Sequence, residues 1–122
     1  MAFRIDENGN ITMVQGDSGR LVVNGLNTDK NYRVFFAIQD EKRKPIGNEI
    51  EVLSNYQPSI VFGINSSLTD LLKVKQDEET ATYYYGVKVC SEDGFEDTLS
   101  IGGSDMGDKN SITVYPKKVE GC

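Results

Sequence analysis

Histidine and tryptophan are absent from the 122 residues, and cysteine occurs only at Cys90 and Cys122. Without imidazole the chain lacks the commonest general base, the usual metal ligand and the side chain that titrates near neutrality. A single pair of cysteines is no disulfide framework for a chain of this size. The start Met1-Ala2-Phe3-Arg4 carries none of the apolar run of a secretory signal, which points to a reducing cytosol and away from a Cys90–Cys122 bridge. Positive charge is also scarce: 13 Lys plus Arg stand against 19 Asp plus Glu, a formal charge of −6. Such a balance repels nucleic-acid phosphates and anionic lipid, so neither nucleic acid nor a membrane is an expected partner. No stretch approaches the roughly 20 apolar residues that a membrane span requires, and the chain is expected to be soluble.

Catalytic patterns are missing as well. Serines are numerous, but no Ser-x-x-Lys, no glycine-flanked elbow and no glycine-rich phosphate cradle occurs. The expectation is a non-enzyme without catalytic residues, cofactor or metal.

What the chain does contain is β-strand pattern. The longest run of β-branched and aromatic residues is Thr80 to Cys90, where Tyr83, Tyr85, Val87 and Val89 alternate with Thr82, Tyr84, Gly86 and Lys88. A period of two predicts a strand with one buried face, on which the rest of the chain is built. Earlier, Phe3 to Asp6 and Ile11 to Val14 flank Glu7-Asn8-Gly9-Asn10, whose Asn-Gly predicts a hairpin. Leu21-Val22-Val23 reads as a strand ending at the Asn24-Gly25 turn. Tyr32 to Gln39 places apolar residues on both faces and is expected to be central. Asp40 to Pro45 is a charged hairpin end, followed by a half-polar strand over Asn48 to Ser54.

Ile60, Phe62 and Ile64 predict another strand. Ser66 to Leu72 carries a Ser-x-x-Asp capping signal and predicts a short helical turn. Lys75 to Glu79 is a solvated connection, Glu92-Asp93-Gly94 a turn into a strand over Phe95 to Ile101, Gly102 to Asp108 a loop, and Ile112 to Tyr115 a last strand before Pro116. About eight short strands with turns near every ten residues predict an all-β, immunoglobulin-like antiparallel sandwich spanning residues 1–122 as one domain.

Candidate sites are few. Asp6-Glu7-Asn8-Gly9-Asn10, with Asp17 at the twelfth position, resembles the start of a calcium loop, but Ile11 stands where the sharp turn needs glycine, so turn chemistry is the better reading. Asp77-Glu78-Glu79 and Asp105 with Asp108 read as solvated charge rather than a cation site. Asn10-Ile11-Thr12 and Asn65-Ser66-Ser67 match the glycosylation sequon by coincidence in a chain without a signal segment. Tyr83, Tyr84 and Tyr85 cannot form one stacking platform because neighbours in a strand point to opposite faces. The only basic cluster is Lys42-Arg43-Lys44, at a hairpin tip, and it is the candidate protein-binding site.

The order of Ile11 to Ser18 with its Gln15-Gly16-Asp17, of Tyr32 to Asp40, of Tyr83 to Val89, and of the return from Gly94 to Ile112-Thr113-Val114 resembles the N-terminal domain of phage baseplate upper proteins. The family usually has a glycine before its Tyr-x-Tyr strand, where this chain has Thr80-Ala81-Thr82. The resemblance implies a bacteriophage virion structural protein, made in the host bacterial cytoplasm. It would be an adaptor that anchors a fibre or receptor-binding protein to the tail baseplate or capsid. Implied partners are other virion subunits, in an oligomeric, symmetric assembly; the expected contact surfaces are the edge near the first hairpin, the Lys42 to Pro45 tip and the Gly102 to Asp108 loop. The alternative is a host-surface or carbohydrate-binding adhesion module with the same fold.

Overall fold

The computed structural model describes residues 3–99 and 110–118. The strands are β1 (Arg4–Ile5), β2 (Ile11–Val14), β3 (Gly19–Val23), β4 (Tyr32–Gln39), β5 (Pro45–Leu53), β6 (Ile60–Ile64), β7 (Ala81–Ser91), β8 (Glu96–Leu99) and β9 (Asn110–Tyr115). One short helix, α1 (Ser66–Thr69), lies between β6 and β7. The larger sheet has the order β1-β2-β9-β7-β4-β5, with β8 pairing β7 beyond the end of β9; β3 and β6 form a second sheet. The two layers face each other as a sandwich, as the strand periodicity predicts.

Alternation decides which side chains meet between the layers. Tyr32, Val34, Phe36 and Ile38 of β4, Tyr85, Val87 and Val89 of β7, and Leu21, Val23, Ile60, Phe62 and Ile64 of the smaller sheet are all buried. At the centre, Phe36 packs its ring 5.6 Å from Phe62 across the layers and 5.4 Å from Tyr85 on the neighbouring strand. Immunoglobulin domains pin this region with a disulfide against a tryptophan. Here three aromatic rings fill the centre of the sandwich, and Cys90 is a free, half-buried thiol on the other side of β7.

Tyr85 and Tyr83 also act as tethers. The Tyr85 hydroxyl donates to the Gly9 carbonyl at 2.5 Å, clamping the first turn onto β7. Asn110 and Ser111 hold the same turn, the Asn110 amide donating to the Asn8 carbonyl and the Ser111 N–H and hydroxyl donating to Asn10 Oδ1. Tyr83 is half-buried, and its hydroxyl donates to the Lys73 carbonyl at 2.6 Å, tying the connection before β7 to the strand it feeds. This resembles the tyrosine corner of immunoglobulin-like domains.

Three hairpin turns share one backbone solution. In Asp6–Asn10, Asp40–Lys44 and Ser91–Phe95 the first residue donates its N–H to the fifth carbonyl, and the fourth residue donates back to the first. The first side chain then accepts from the fifth N–H: Asp6 from Asn10, Asp40 from Lys44, Ser91 from Phe95. The fourth residue is left-handed in each, Gly9 at φ 84°, Arg43 at 66° and Gly94 at 88°. This is the three-residue loop with a bulge that matches strand twist.

Several details differ from the sequence pattern. β2 pairs with β9 in parallel, Ile11 opposite Ile112, whereas local turn signals reveal only antiparallel neighbours. Strand β5 begins at Pro45 rather than Asn48, because a bulge around Gly47, at φ 70°, keeps residues 45 and 46 in register with Gln39 and Ile38. Leu68 of α1 covers that bulge: a Cβ at Gly47 would stand 2.6 Å from its methyl. The helix is capped by Asn65, whose side chain accepts from the Leu68 N–H, and not by the Ser-x-x-Asp pattern. Asp70 instead accepts from Lys117 at 2.6 Å, and the Gln15 amide donates to the Asp70 carbonyl, so the Gln15-Gly16-Asp17 turn, α1 and the segment after β9 meet at one point. The Gly102 to Asp108 loop lies outside the described residues.

Two stability predictions follow from the central aromatic cluster. Phe36→Ala should cost about 3–5 kcal/mol in urea unfolding, as for other large buried aromatics. Burial raises the Tyr85 phenol above its ordinary value, with the Asp6 charge adding to the effect. A raised folded value means that this contribution is complete below about pH 10 and is lost as pH rises beyond it. Tyr85→Phe should therefore unfold more easily at neutral pH, by about 1–3 kcal/mol for the orphaned carbonyl, yet lose less further stability than the parent between neutral pH and strong alkali.

Candidate functional site

Three surface features stand out, and all follow from where the turns place the chain. The first is the basic tip. Lys42, Arg43 and Lys44 are exposed in the β4–β5 turn, while Asp40 spends its carboxylate on the N–H groups of Lys42 and Lys44 at 2.8 and 2.9 Å. Its acid thus builds the turn and leaves the three cations pointing outward without an ion pair among the described residues. Arg43 occupies the left-handed position that glycine fills in the two sister turns. A non-glycine residue there is disfavoured by about 1–2 kcal/mol, so this side chain is held at a conformational cost.

The second is a shallow groove of about 370 Å³ on the outer face of the larger sheet. Its floor is Ala37 opposite Gly86, the smallest outward-facing pair where β4 and β7 run side by side. Phe35, Gln39, Pro45 and Arg43 bound it on the β4–β5 side, where the bulge swings β5 aside, and Lys88 and Thr98 bound it on the other. The Arg33 guanidinium lies over the Phe35 ring, 5.2 Å from its centre, and pairs with Glu51, and Lys88 pairs with Glu96 at 3.1 Å. Those acids raise the Arg33 and Lys88 values, and both pairs are open to solvent.

The third is a cleft of about 210 Å³ at the opposite end of the sandwich. It is assembled from the β3–β4, β5–β6 and β7–β8 connections. Asp29, Asn31, Tyr56, Glu92 and Asp93 line it. Tyr56 and Phe95 are 52% and 53% exposed, unusual for such large rings. Asn55 and Tyr56 are both left-handed, at φ 52° and 61°, and the Asn55 N–H is held by Asn31 Oδ1. Lys30 sits 5.7 Å over the Phe95 ring and 3.5 Å from Asp93. The Ser91 hydroxyl, the Phe95 N–H and Lys30 together lower the Asp93 value.

The remaining acidic candidates are accounted for locally. Asp6 accepts from the Asn8 and Asn10 N–H groups as a turn former. Asp77, Glu78 and Glu79 are exposed; Asp105 and Asp108 lie outside the described residues. Both sequon asparagines are occupied, Asn10 with Ser111 and Asn65 at the helix cap. Among the described residues no group of three His, Cys, Asp or Glu is placed so that it could hold a metal ion, and no helix is long and apolar enough to cross a membrane. The edge near the first hairpin is β1, only two residues long, with Ile5 41% exposed.

Sequence reasoning located the tip but neither the groove nor the cleft. Gly86 inside an otherwise strong strand was the available signal for the groove, since a strand glycine marks a place where something approaches closely. The cleft joins three distant loops and leaves no local signature. Comparison of the chain with protein-family models, with curated proteins and with solved structures finds no match in any of the three.

Arg43→Gly should relieve the strained position and raise stability by about 0.5–1 kcal/mol in chemical denaturation, the gain from glycine at a left-handed site less its larger unfolded-state entropy. The same change at Gly94 in reverse, Gly94→Arg, should lower stability by a similar amount.

Proposed function

We propose that this chain is a bacteriophage virion structural module, an adaptor that holds a fibre or receptor-binding protein against the tail baseplate or capsid. The single observation that supports it best is the continuity of the strained, unpaired Arg43 tip with the uncovered groove over Ala37 and Gly86. Together they offer a mainly apolar slot whose rim carries Arg43 and Lys88 beside the single acid Glu49, a composition that suits a protein-docking surface better than a reaction centre. The resemblance in the order of the sequence segments and in the Gln15-Gly16-Asp17 signpost supports the same reading. In such a role the partners are other virion subunits, the location is the particle, and modest contacts accumulate through many symmetric copies. A second reading, a host-surface or glycan-binding module, draws on the exposed Tyr56 and Phe95 at the loop end.

Gly86→Leu tests the adaptor reading. A Cβ at Gly86 meets nothing within 4 Å, so the variant should fold with unchanged or slightly higher melting temperature while filling the groove. Co-purification with phage particles should fall at least tenfold, and charge reversal at Lys42, Arg43 and Lys44 should do the same. Unchanged particle association in both variants, with binding of the isolated domain on a glycan array, would transfer the function to the second reading.

A further inference from the structure

We propose that the domain associates head to tail with a second copy of itself, the basic tip of one copy seating in the acidic, aromatic cleft at the far end of the next. Lining or flanking the cleft are three carboxylates, Asp29, Glu92 and Asp93, against one ammonium, Lys30. Asp93 is engaged with Lys30, whereas Asp29 and Glu92 have no ion-pair partner among the described residues. The tip carries three consecutive cations, also unpaired there, against the exposed Glu41 and an Asp40 that holds the turn, so it remains positive.

These two unbalanced patches cannot satisfy one another within a chain. Strand β4 starts beside Asn31 at the cleft and runs eight residues to Asp40 at the tip, a separation of about 25 Å at strand rise. Between chains the same patches are complementary.

The cleft already displays the chemistry it would accept. Lys30 places its ammonium between the face of Phe95 and the carboxylate of Asp93, an arrangement that stabilises a cation by ring quadrupole and charge together. Beside it, the exposed Tyr56 offers a second ring, and Asp29 and Glu92 offer free carboxylates. An arginine presents a planar group that stacks on a ring while donating to carboxylates, which a lysine does less well. A cleft of about 210 Å³ admits one long side chain and not a folded partner. Arg43, raised on a narrow hairpin and held in a backbone conformation that glycine would adopt more readily, matches that demand. A saccharide would also use the rings, but it gains nothing from the excess negative charge.

Copies of a chain with charge −6 repel at long range. At about 0.15 M salt the screening length is about 8 Å, so that body-to-body repulsion is damped while groups apposed at contact still attract. Because tip and cleft are different surfaces, the contact is heterologous and repeats into a ring or an open filament.

The inference rests on the tip being a binding surface, and the test separates the two. The full chain is measured by sedimentation and light scattering at about 0.15 M and about 1 M salt. Mass should rise with concentration at the lower salt and return to one chain at the higher. A tip-reversed variant (Lys42→Glu, Arg43→Glu, Lys44→Glu) and a cleft-reversed variant (Asp29→Lys, Glu92→Lys) should each remain single chains. Mixed in equal amounts they should co-assemble, because the reversed tip fits the reversed cleft, and a misfolded variant could not produce that rescue. A parent chain that stays single at every concentration, or reversed variants that assemble as well as the parent, would overturn the inference. Capture of a glycan or of a basic partner protein by a chain that stays single would overturn it too, and would assign the cleft to that ligand. Failure here with particle association intact would remove only this inference and leave the adaptor reading standing.

Discussion

The contact of Phe36 with Phe62 and Tyr85 is the constraint that everything else in this sandwich serves. It joins the two layers at their centre without a disulfide, and Cys90, the cysteine among the described residues, is a free thiol on the other side of β7. Dispersion and burial of three rings replace a covalent pin, and close packing there fixes the spacing of the sheets. Tyr85 couples this core to the surface, since its ring packs inside while its hydroxyl holds the first turn at Gly9. The tip and cleft occur at opposite ends because β4, which supplies Phe36, is the rod between them.

Much of the fold is written locally in the residues. Period-two alternation in Tyr32 to Gln39, Ile60 to Ile64 and Thr80 to Cys90 predicts strands that form with the expected faces buried, since burial of alternate side chains is what the pattern encodes. Turn residues locate the hairpins for the same reason: Gly9 and Gly94 take the left-handed conformation at the fourth position. The helical turn also forms where the pattern places it, although Asn65, one residue before the serines, does the capping because its side chain reaches the Leu68 N–H.

Information that depends on distant residues is not legible in this way. Nothing near Ile11 signals a parallel partner at Ile112, and nothing near Tyr56 signals that Asp29 and Asp93 will stand beside it. Arg43 is an intermediate case. The charged run marks a hairpin tip, but that the arginine sits in glycine's conformation emerges only when three turns are compared in space. The groove was half visible, through Gly86, yet its depth also depends on the bulge at Gly47, which a one-dimensional pattern does not reveal.

The parallel pairing of β2 with β9 carries a kinetic consequence. It joins segments near opposite ends of the sequence, so the largest loop must close before those backbone groups find partners, and topologies dominated by such distant contacts fold slowly. During synthesis, β2 and the first half of β7 leave the ribosome with bare hydrogen-bonding edges and must wait for the last segment to emerge. Until then the nascent domain is a template for pairing with its siblings, so a polysome making many copies at once is where misassembly would begin.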